Sequence, residues 1–178
     1  MLRVLLAAAL LAGPGAYPAQ HEGTGREPTA GQGVFAGTSF VPRSALVDYE
    51  LGASCCPQKT VGTVNVFLFE QPGVRCAKLE AAKYKRFFSY SVETNGKKLP
   101  VERKPAAKWF QQASFNVVGL TTGFQPGAAN VGIVFTRVDT APGAVWHGRV
   151  SVARQRFNGK TYSLSATFAA AWCGTKRS

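Results

Sequence analysis

From Val34 onward the chain is written in short runs of β-branched and aromatic residues broken by Gly, Pro and Asn, and few folds accept that punctuation. The strongest run is residues 60–70, TVGTVNVFLFE, with Val64, Val66 and Leu68 on one face and Phe67 and Phe69 on the other. A strand that is apolar on both faces belongs inside a sheet covered from both sides. Residues 86–94 alternate more openly, with Phe88, Tyr90 and Val92 sharing a face. Residues 161–172 put Tyr162, Leu164, Ala166, Phe168, Ala170 and Trp172 on one face and Ser163, Ser165 and Thr167 on the other. Further strands are expected over 44–51, 99–102, 112–120, 131–138 and 144–153. Asn95-Gly96 and Asn158-Gly159 are two-residue hairpin signals, because Asn and Gly accept positive φ. One short helix is expected over 74–84, where Ala77, Leu79, Ala81 and Ala82 cluster. The fold class that follows is all-β: an antiparallel β-sandwich or small barrel of about seven to eight strands.

The first residues are of a different kind. Arg3 precedes an apolar run over residues 4–12, and Gly13-Pro14-Gly15-Ala16 breaks it. Such a run is too short to cross a bilayer as a helix and has the length of a signal-peptide core. The expected organisation is a signal peptide over residues 1–19, cut between Gly13 and Gln20, then a flexible segment over 20–33 without hydrophobic period, and one β domain over 34–178. The product is expected outside the cytosol, secreted or in the cell envelope, with no transmembrane segment. A domain of about 160 residues buries about two-thirds of its unfolded surface, so cross-links reinforce its core and do not replace it.

Export also decides how the cysteines read. Cys55 and Cys56 are adjacent, and Cys76 and Cys173 follow far along the chain. In an oxidising compartment these are disulfide partners. Neighbouring Cα atoms stand about 3.8 Å apart, below the usual disulfide range, which disfavours a bond between Cys55 and Cys56. In extended backbone their side chains point to opposite faces, so they are expected to take separate partners, Cys76 and Cys173, in either pairing. No C-x-x-C and no histidine at ligand spacing point to a metal, and no cofactor is called for.

No motif in the chain names a reaction. A phosphate-binding loop, a dinucleotide fingerprint, an H-E-x-x-H helix and a G-x-S-x-G elbow are all absent. No catalytic set is assigned; a hydrolase would have to use His147 with a carboxylate such as Asp48 or Asp139. Charge is more informative: 21 Lys and Arg stand against nine Asp and Glu, a formal +12. A field of that sign draws polyanions such as envelope polymers, glycans or nucleic acid. Basic residues interleave with aromatics in three places. Lys83, Lys85 and Arg86 flank Tyr84 and Phe87; Lys97, Lys98, Arg103, Lys104 and Lys108 lead into Trp109; and Arg149, Arg154, Arg156 and Lys160 surround Phe157. The second set is the preferred binding surface, since Pro100 and Pro105 keep it out of a central strand and in an exposed loop. Strand parity adds His147 and Arg149, on the face opposite Val150 and Val152. The first expectation is therefore a non-catalytic binding module for an anionic partner. The second is the His147 hydrolase, and the third is a structural or assembly component of the envelope that pairs its strand edges with a protein partner. The oligomeric state stays open.

Overall fold

A computed structural model describes residues 29–53, 60–78, 86–94, 111–117 and 124–177. Nine strands lie among the described residues: β1 (Ala30–Phe35), β2 (Thr38–Phe40), β3 (Ser44–Ala53), β4 (Thr60–Phe69), β5 (Arg86–Thr94), β6 (Gln111–Val117), β7 (Val131–Arg137), β8 (Val145–Phe157) and β9 (Lys160–Arg177). They form one curled sheet ordered β2-β1-β9-β3-β4-β5-β6, with β8 on the other edge of β9 and β7 outside β8.

The spine is β9, 18 residues long. Along one edge it pairs with β8 from Lys160 to Ala171. Its other edge serves two strands in turn: β1, antiparallel, up to Thr167, and β3, parallel, from Ala171 to Arg177. The expectation of an antiparallel sheet is thus corrected at one pairing. The β1–β2 hairpin occupies the first half of that edge, and the chain then turns into β3 alongside the second half, running with β9. Where β3 passes β9 the register slips between Val47 and Tyr49, and Gly174 takes φ 88° opposite the slip.

Among the described residues the sheet curls into a half-barrel, the barrel-like alternative, and a sandwich is not confirmed. Phe115 of β6 comes within 5.4 Å of Phe35, 5.5 Å of Tyr162 and 5.1 Å of Phe88, centroid to centroid. Its backbone N–H donates to the Phe124 carbonyl at 2.8 Å. Arg86 ties the two sides of the curl together. Its guanidinium donates to both Glu70 oxygens at 2.7 and 2.5 Å and to the Ser39 carbonyl at 2.9 Å, and lies 5.6 Å from the Phe35 ring centroid. At the other pole Trp146 and Trp172 stack at 5.2 Å, with Phe135 edge-on to Trp146. The Trp146 indole N–H donates to the Asp139 carbonyl at 2.6 Å, which gives this buried polar atom its partner. Gly148 makes room for that packing, since a Cβ there would stand 2.3 Å from the Phe168 ring.

Strand 86–94 has the bounds read from the sequence, and the Asn158-Gly159 turn has φ of 48° and 73°, a type I′ hairpin turn. Three expectations change. β1 begins at Ala30, inside the segment assigned to a flexible linker, because Gly31 and Gly33 let it press against β9: a Cβ on Gly31 would meet the Ala166 Cβ at 2.5 Å. In place of the first turns of a helix over 74–84 there is a 3-10 turn at Cys76–Lys78, tethered by its cysteine; residues 79–85 lie outside the described residues. Cys76 bonds Cys173, Cα to Cα 5.2 Å, so these two do not pair with Cys55 and Cys56, which lie outside the described residues. The chain leaving β4 folds back over the outer face of β9, where strand alternation points Cys173. Asn95-Gly96 and the strand expected over 99–102 also lie outside the described residues.

Candidate anion-binding surface

Two outer walls flank the half-barrel. On β3, β4 and β5 the outer face is half-buried around a buried centre. Leu46, Phe69, Phe87 and Cys173 form a second apolar cluster there, with Phe67, Val74 and Cys76 packed against it. Beside it Asn65 Nδ2 donates to Asp48 Oδ1 at 2.8 Å, and Ser91 Oγ donates to Asn65 Oδ1 at 2.7 Å. Asp48 is 1% exposed. Burial pushes its carboxyl up to about 6, against the pull of the Asn65 hydrogen bond and with a smaller push from Glu50. This wall is filled and internally satisfied.

The wall of β7, β8, β9 and β1 differs. Strand alternation sends Trp146, Gly148, Val150 and Val152 of β8 inward, where they are buried, and His147, Arg149 and Ser151 outward. The pairing register lines the outward positions up in rows across the strands. Arg137, His147 and Ala169 make one; Val134, Arg149, Thr167 and Ala30 the next; Gly132, Ser151, Ser165 and Gln32 the third. Apart from the cations these positions are small or neutral, so the backbone stays close to the surface and the twisted wall hollows into an open groove of about 700 Å³. Ser151 Oγ leans over Gly132, where it would stand 3.0 Å from a Cβ.

Toward the β8–β9 turn the rows give way to exposed Arg154, Arg156 and Lys160 around Phe157, which is 48% exposed and rests on Phe124 at 5.2 Å. The whole stretch from Val131 to Arg177 contains one acidic residue, Asp139, and its carboxylate accepts the Ala141 N–H at 3.0 Å. Cations therefore run along β8 with little opposing charge on their own strands, and Arg149 has no acidic partner among the described residues. No known protein family, curated protein or solved structure matches this chain.

Of the residues singled out from the sequence, His147 and Arg149 sit side by side on this wall, His147 half-buried and Arg149 exposed. Lys97, Lys98, Arg103, Lys104, Lys108 and Trp109 lie outside the described residues. Ser165 and Thr167 read from the sequence as the polar face of the last strand and not as a site, while Ser151, Gly132 and Arg137 carry no motif. One signal does point to this region: from Val131 to Lys160 the chain has Arg137, Arg149, Arg154, Arg156 and Lys160 against Asp139 as the single acid. Among the described residues no three His, Cys, Asp or Glu side chains come together as metal ligands.

Proposed function

We propose that this protein is an exported, non-catalytic binding module that engages an anionic partner through the outer wall of β7, β8, β9 and β1. The observation that supports it best is the set of exposed cations in this part of the sheet, with Arg137, Arg149 and Arg156 at outward positions, Arg154 at the bulge between them and Lys160 at the β8–β9 turn, against a single carboxylate, Asp139, on the same stretch. Exposed cations without counter-charges repel one another, and a polyanion relieves that repulsion while releasing its own counterions. The Cys76–Cys173 bond agrees with an oxidising compartment, and no described helix is long and apolar enough to cross a membrane.

The test is binding of the oxidised full-length chain to dextran sulfate, oligo-dT and anionic vesicles, with neutral dextran as control, at 50 and 200 mM salt. Four to five ionic contacts predict a loss of affinity on the order of a hundredfold over that range for the true partner class. Binding that ignores salt, or no binding to any polyanion, overturns the proposal.

A further inference from the structure

We infer that the groove on this wall is a subsite for a uronate unit of a linear acidic polysaccharide, an inference that rests on the anionic-partner reading and names its chemistry. Arg149 stands in the groove as its cation. A guanidinium offers a planar fork of donors that fits a carboxylate with two parallel hydrogen bonds, which a lysine cannot reproduce. Around it Ser151, Ser165 and Thr167 present hydroxyls from two neighbouring strands, about 4.8 Å apart across the sheet and about 6.8 Å along it. The Ser151 and Ser165 hydroxyls can each donate and accept, matching the hydroxyls of a sugar ring, while that of Thr167 donates to the Ala30 carbonyl at 3.3 Å and offers its oxygen as an acceptor. Val134, 39% exposed, supplies an apolar spot beside Arg149 for the C–H face of that ring.

The other polyanions fit this groove less well. No aromatic ring lines it, so a nucleic-acid base finds no stacking platform, and Phe157 lies at the far turn of β8. A bilayer surface is flat, whereas Arg149 is set among small residues in a hollow. A linear polymer, in contrast, can continue along β8 past the groove. Residues 147–156 extend for about 30 Å, with Arg156 on a further outward row and exposed Arg154 at the bulge before it.

Polygalacturonate is the probe, offered to the full-length oxidised chain beside oligo-dT and phosphatidylglycerol vesicles. Arg149→Gln is expected to weaken polygalacturonate binding about tenfold, and Arg149→Lys, which keeps the charge and loses the fork, about fivefold. Gly132→Leu fills the hollow from the exposed edge strand without changing charge, and is expected to cost about tenfold for polygalacturonate and nothing for oligo-dT. Unchanged thermal melting of each variant shows that the fold is kept. Wild-type polygalacturonate binding by Arg149→Lys and Gly132→Leu overturns the inference, as does preference for oligo-dT or vesicles, while the anionic-partner reading stands. Failure of every polyanion to bind overturns both.

Discussion

The two outer walls come from one sheet and one register, yet they are finished in opposite ways. The outer face of β3, β4 and β5 is closed by aromatic rings, a disulfide and the Asp48–Asn65–Ser91 hydrogen-bond chain. The outer face of β7, β8, β9 and β1 has Ser165, Thr167 and Gly132 exposed where the other wall has Phe67, Phe69 and Phe87. Strand β9 takes part in both: its outward positions are Ser163, Ser165 and Thr167 in the half beside β1, then Ala171 and Cys173 in the half beside β3. A single strand thus passes from a surface built for water and solutes to one built for packing. Side-chain choice, and not strand geometry, divides the molecule into a structural wall and an available one.

Substitutions should respect that division. The largest effect is expected on the packed wall from removing the Cys76–Cys173 bond with Cys76→Ala and Cys173→Ala together. The bond closes a separation of 97 residues, and its loss should cost about 2–5 kcal/mol in a urea titration. A cost near zero would mean that the packed wall does not depend on its staple. Next comes Asp48→Asn. A carboxyl held up at about 6 in the folded chain, against about 3.9 unfolded, adds stability below pH 4 that is lost as pH rises through 6. The stability of Asp48→Asn relative to wild type should therefore grow from near zero at pH 4 to about 2–3 kcal/mol at pH 7, since Asn can still accept from Asn65. A difference that does not change with pH would remove the ionised, buried Asp48 from the account. The smallest effects belong to the open wall: Ser165→Ala and Arg149→Gln should each leave stability within about 0.5 kcal/mol. A larger loss from either would show that this wall, too, is structural.

Much of this architecture is legible in the sequence, because period-two alternation names inward residues directly. Tyr162, Leu164, Phe168 and Trp172 are buried as their spacing predicts, and His147 and Arg149 share the outward face. What escapes is whatever depends on which strands meet. Gly31 and Gly33 look like linker residues until β9 lies against them. The partner of Cys173 follows from where the chain leaving β4 folds back, which no spacing in the chain encodes. The groove escapes for a related reason: Gly132, Ser151, Ser165 and Thr167 are unremarkable on their own strands and become a surface only through the pairing register. Arg154 falls within the register slip between Val152 and Gln155, where simple parity no longer assigns a face.

The most direct test of the open wall as an anion-binding surface is the salt dependence of dextran sulfate affinity, for the wild-type chain and for Arg149→Gln, Arg154→Gln and Arg156→Gln combined. If these three side chains make the ionic contacts, the slope of log affinity against log salt should shrink by about two to three. An unchanged slope would place the charge contacts elsewhere and contradict the division between the two walls.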